Sequence, residues 1–102
     1  MTEAEVVFHP GASAEYREAY VWYAEHEPRA GDRFEQEVES AVRRIGEDPQ
    51  RWPKYDERHR KLVLRRFPYL VIYREHGRRI WIVAVAHGHR KPGYWKKRTI
   101  SW

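Results

Sequence analysis

The hydrophobic period of this chain changes once, near residue 50, and that single change limits the fold more than any other feature. Before it, apolar residues recur every three or four positions. Ala12, Tyr16, Ala19, Tyr20 and Tyr23 form one such stripe, and Ala30, Phe34, Val38, Ala41, Val42 and Ile45 form a second. Each predicts a helix with one buried face. Pro28 separates them, because the residue before a proline disfavours the helical region. Glu15, Glu18 and Glu25 are expected on the outer side of the first helix. Asp32, Glu35 and Glu37 lie toward the start of the second and Arg43 and Arg44 toward its end, as the helix dipole favours. Gly46 and Asp48-Pro49 stop it. So short a connection makes the two helices an antiparallel hairpin.

After a proline-bearing loop at 49–57 the pattern becomes extended. Residues 61–65 (KLVLR), 69–73 (YLVIY) and 80–86 (IWIVAVA) are rich in β-branched and aromatic residues and predict three strands. Pro68 and His76-Gly77 mark the connections, giving an antiparallel meander. The last strand is apolar at nearly every position, so it should be central and covered on both faces. Val6-Val7-Phe8, ended by His9-Pro10-Gly11, predicts one strand at the start. The expectation is a single α+β domain over 1–102. Its order is β-α-α-β-β-β, with a two-helix hairpin on one face of a small antiparallel sheet.

Composition narrows the function. There is no cysteine, which excludes disulfides, Cys-ligated zinc, iron–sulfur clusters and thiol nucleophiles. No apolar run approaches the roughly 18–20 residues of a membrane span. The opening MTEAEVVFHP is acidic and short, unlike a signal peptide, so the expected location is the cytoplasm. Charge is divided unevenly. Residues 1–50 hold 5 Lys/Arg against 12 Asp/Glu, and residues 51–102 hold 15 against 3. A basic half interleaved with Trp, Tyr and His fits an anionic partner, whether nucleic acid or an acidic protein segment. Two halves of one domain neutralising each other would give the same division.

Two segments carry a family resemblance. Residues 66–74 (RFPYLVIYR) and 82–95 (IVAVAHGHRKPGYW) together resemble the RelE/ParE superfamily, the toxin half of bacterial type II toxin–antitoxin pairs. His9-Pro10 before a helix, and Asp48-Pro49 followed by Trp52-Pro53, fit the same family. The resemblance implies a cognate antitoxin as partner and growth arrest as the effect. It also implies a target: DNA gyrase for ParE-like members, or the translating ribosome and its mRNA for RelE-like ones. RelE-like ribonucleases use basic strand residues, a C-terminal Arg and an aromatic or His. Lys61 and Arg90 match that set, Val63 and Leu70 stand where basic residues are expected, and Tyr94 lies near the catalytic Tyr spacing. With half the set present, the resemblance favours the ParE-like, plasmid-stabilisation branch. The alternatives are a metal-independent, ribosome-dependent endoribonuclease and an inactive member that binds antitoxin and represses the shared operon.

Catalysis of RNA cleavage would need a base for the 2′-hydroxyl, an acid for the leaving oxygen and a cation for the phosphate. His87, His89, Arg90 and Lys61 are the candidates, since imidazole titrates near neutrality and guanidinium presents paired donors. A backbone cap at the strand end is the structural alternative for one of the two histidines. His87 and His89 alone do not make a metal site, and no metal or cofactor is expected. Arg65, Arg66, Arg74, Tyr94 and Trp95 are candidates for binding nucleic acid or antitoxin. Basic strand edges that deter aggregation are the alternative for the arginines, and core packing is favoured for Trp95. Trp102 carries no assignment.

Overall fold

Helix α1 (Pro10–His26) and helix α2 (Pro28–Glu47) are joined by one residue, Glu27. Extended backbone at Glu27 satisfies the proline that follows. Its N–H donates to the Tyr23 carbonyl, closing α1, while its carboxylate accepts from the Arg29 N–H at 2.9 Å, opening α2. Each helix carries proline at its first position, where a missing N–H costs nothing. His9 caps α1, its Nδ1 accepting from the Gly11 N–H at 2.9 Å. This computed structural model describes residues 4–100. Trp102 lies outside them.

The strands are β1 (Glu5–Phe8), β2 (Arg60–Val63), β3 (Tyr69–His76) and β4 (Arg79–His87). They lie side by side in the order β1-β4-β3-β2. β2, β3 and β4 form the expected antiparallel meander. β4 is central and buried from Ile80 to Ala86, also as expected. Gly77 turns the β3–β4 hairpin with φ of 65°, a value that glycine adopts without strain. The sheet differs from the antiparallel expectation in one respect. β1 pairs with β4 in parallel, Glu5 opposite Arg79 and Phe8 opposite Ile82, so the sheet is mixed. The helical hairpin is the crossover that makes this possible. It carries the chain from the end of β1 back toward the meander, after which β4 runs alongside β1.

β2 is also shorter than the 61–65 expected. The Arg65 and Arg66 N–H groups donate to Glu37 Oε1 on α2, at 2.7 and 3.1 Å, instead of continuing the ladder.

Two cores sit on the two sheet faces. Between sheet and helices, Phe34 is fully buried and meets Tyr23, Phe67 and Tyr69 at 5.2 Å between ring centroids. Burying such a ring contributes about 1.5–3 kcal/mol. On the opposite face Ile72, Trp81, Val83, Ala84 and Ala86 are covered by Trp95 from the C-terminal tail, which is 2% exposed. The strand therefore has its second cover, supplied by a polar-looking tail.

Candidate functional site

β4 outruns β1. The His9 N–H still reaches the Ile82 carbonyl at 2.9 Å, and beyond that point no strand among the described residues borders this edge. The register slips here as well: Ile72 faces Ala84 while Tyr73 faces Ile82, so Val83 is bulged. Two side chains serve the edge where backbone otherwise would. Glu15 Oε1 accepts from the Val85 N–H at 3.0 Å, and Arg98 Nη1 donates to the Val83 carbonyl at 2.9 Å. The same two residues pair with each other through two hydrogen bonds of 2.9 Å. The Tyr94 hydroxyl donates to the other carboxylate oxygen.

Glu15 was expected on the outer side of α1, and it is instead the hub of this end of the molecule. A signal for it exists. Glu15 lies three residues after Ala12 and four before Ala19, on the buried stripe itself. Alanines at those positions and Gly11 leave room for the Arg98 guanidinium. A Cβ on Gly11 would lie 2.6 Å from its Cζ. Arg98 had no such signal, since its partners are 15 and 83 residues away in the chain.

Beside this hub a groove of about 570 Å³ runs between α1 and the ends of β3 and β4. Trp22, Tyr23 and Tyr69 give it aromatic walls, and His87, Arg90 and Tyr94 give it polar ones. Trp22 is 54% exposed and stacks on His26, with ring centroids 3.9 Å apart. The Arg90 guanidinium lies 4.0 Å from the centre of the Tyr94 ring, a cation–π contact. Burial, then the hydrogen bond to Glu15 and its charge, push the Tyr94 phenol well above the usual tyrosine range. The hydrogen bond with Glu15 likewise raises Arg98 against the opposing effect of burial.

The structure gathers some of the candidate residues and separates others. Lys61, on the sheet face away from the helices, shares a small cleft of about 160 Å³ with His87, Arg90 and Tyr94. His89 is exposed, its ring 5.2 Å from that of His87. Its N–H donates to His87 Nδ1 at 3.0 Å, so His87 caps the strand end through one ring nitrogen. That bond occupies Nδ1 as an acceptor. Glu15 is saturated by donors. Neither group is a free base for a proton at this end of the sheet. Arg65 and Arg66 lie elsewhere, in a groove of about 520 Å³ between β2 and α2 that Arg33 and Arg44 also line. Arg74 lies at the far end of β3, in a third cavity. Trp95 is in the core, which takes it out of any exposed binding surface.

A family model described as ParE toxin of type II toxin–antitoxin system, parDE, matches residues 6–92. The chain belongs to this family. The ParE match spans the helical hairpin and all of the meander, and stops before Tyr94, Trp95 and Arg98, the residues that lock the tail to α1 and the sheet. Among solved structures, the chromosomal ParDE toxin–antitoxin system from P. aeruginosa is similar in fold, with a TM-score of 0.73 at 19% identity. The alignment covers 83% of this ParE-family chain and 96% of that one. No curated protein sequence matches. Among the described residues no helix is long and apolar enough to cross a membrane, and no group of three His, Asp or Glu side chains is arranged to hold a metal.

Proposed function

We propose that this ParE-family toxin acts by protein contact on a cytoplasmic target such as DNA gyrase, and that a cognate antitoxin neutralises it. One observation carries the contact mode. The groove beside α1 offers an exposed Trp22, aromatic walls and Arg90, while Glu15 and His87 on its wall are committed to hydrogen bonds. Aromatic and arginine side chains of this kind anchor protein interfaces. Arg33, Arg44, Arg65 and Arg66 around the β2–α2 groove, against Glu37 alone, support an acidic antitoxin segment as the second partner.

The test is DNA supercoiling by purified gyrase with the chain added, alone and after preincubation with the antitoxin encoded beside it. Loss of supercoiling, restored by antitoxin and weakened at least tenfold in Trp22→Ala, is the expected result. Unchanged supercoiling at micromolar chain sinks the gyrase reading. The ribonuclease reading keeps one supporting observation, the meeting of Lys61 and Arg90 in a single cleft. Cleavage of ribosome-bound mRNA in a translating extract, abolished by Arg90→Ala, would put it first.

A further inference from the structure

The 49–60 loop folds over the start of β2 and forms a cavity of about 390 Å³ against the end of β3, away from the groove just described. Lys54, Arg58, Arg60 and Arg74 line it. None of the four is in an ion pair among the described residues. Arg60 is aimed by neutral acceptors, Nη1 donating to the Trp52 carbonyl at 2.7 Å and Nη2 to Gln50 Oε1 at 3.0 Å. Gln50 in turn donates to Glu75, a carboxylate on the cavity wall. Glu57 is the other acid there. Among the described residues the side chains of Lys54 and Arg58 have no hydrogen-bond partner. Arg74 Nε is sealed from solvent without a hydrogen-bond partner. A buried donor left unmatched is costly, and native structures rarely keep one without a reason.

From this cavity we infer a site for a phosphoryl group. Three guanidiniums offer N–H donors from different directions, and a phosphoryl group meets them with two or three terminal oxygens set around a tetrahedral centre, where a carboxylate presents two in one plane. Phosphoryl oxygens reach such a site either on a nucleic-acid backbone or on a small phosphate ester, and the experiment separates these sources. The inference is independent of the toxin's target.

Binding of a fluorescein-labelled 20-nucleotide single strand, DNA and RNA in turn, is followed by anisotropy at 50 mM salt, with pyrophosphate as the small probe. Arg58→Gln, which is exposed and leaves the fold intact, should bind the strand about five- to tenfold more weakly. It should also lower the slope of log affinity against log salt by about one. Arg74→Gln, checked for folding by circular dichroism, should do the same. Arg29→Gln on α2 carries the same charge change outside the cavity and should stay within twofold of the parent chain. Strand binding with these sensitivities supports a nucleic-acid source. Pyrophosphate binding that the same variants abolish, with no strand binding, supports a small ester. The inference is overturned if neither probe binds. It is equally overturned if the cavity variants bind as the parent does, or if a 20-residue poly-glutamate competes as well as the strand.

Discussion

Glu15 concentrates the energetics of the site in one side chain. Its carboxylate accepts from Arg98, Tyr94 and the Val85 N–H, and both members of the Arg98 pair are largely buried. Removing the charge leaves a guanidinium with its best partner gone, so Glu15→Gln should cost on the order of 2–3 kcal/mol. For a chain this size that lowers Tm by roughly 10 °C or more. Glu18→Gln, on the exposed side of the same helix, should change Tm by less than about 2 °C. Thermal denaturation of the two variants side by side checks this, and equal losses would remove the hub from the account. Tyr94 adds a pH dependence. Its folded pKa is raised above the unfolded value near 10, so the unfolded chain releases the phenolic proton first. The stability it contributes is full below about pH 10 and is lost as pH rises above that. Tyr16 and Tyr73, both pushed up to about 12 chiefly by burial, have the same sign. Urea unfolding from pH 8 to 11 should show falling stability, with a shallower fall in Tyr94→Phe.

At the scale of elements, the helical hairpin depends on a close approach that its apolar stripe did not reveal. Ala30 fits the stripe, yet it is Gly31 that is buried, against α1. A Cβ at Gly31 would lie 2.8 Å from the Ala24 Cβ and 3.0 Å from its Cα. Alanine ordinarily favours a helix over glycine by about 1 kcal/mol. Here the obstacle includes backbone, which cannot swing away, and overpacking of this kind costs about 1–3 kcal/mol. Gly31→Ala is therefore expected to destabilise the chain, and a stabilised variant in a denaturant titration would show that the helices part without penalty. The strands teach the converse lesson. β3 and β4 were readable because each is an unbroken run of apolar, largely β-branched and aromatic residues, a local signal. The early end of β2 was not, because Glu37, nearly thirty residues upstream, takes the N–H groups of Arg65 and Arg66.

For the whole molecule, the decisive segment is the tail. Residues 88–98 read as polar and basic, yet Trp95 within them closes the second face of the sheet against Tyr55 and His59, with ring centroids at 5.0 and 4.6 Å. A chain ending at Pro92 would expose Trp81, Val83 and Ala84 together. Such a chain should bind the hydrophobic dye ANS and self-associate on gel filtration. A monomeric, dye-silent truncation would mean that the sheet tolerates an open face. Charge follows the same logic. Glu5–Arg79 and Glu15–Arg98 tie the acidic half to the basic one. Among the described residues Lys54, Arg58, Arg65 and Arg66 remain outside any side-chain ion pair, so neutralisation between the halves accounts for only part of the division read in the sequence.

The sequence alone determined the order of elements, the helical hairpin, the antiparallel meander and the central place of β4, because each is written locally, in three- and four-residue spacings or in unbroken apolar runs. Its family motifs, in residues 66–95, pointed to the same fold. Only the tertiary structure decided that β1 joins in parallel, that Glu15 turns inward to meet Arg98, and which face of the sheet Trp95 covers. It also decided that Arg65, Arg66 and Arg74 stand apart from His87 and Arg90. Each of these depends on which distant segments meet at a sheet edge, and no local periodicity encodes a meeting across eighty residues of chain.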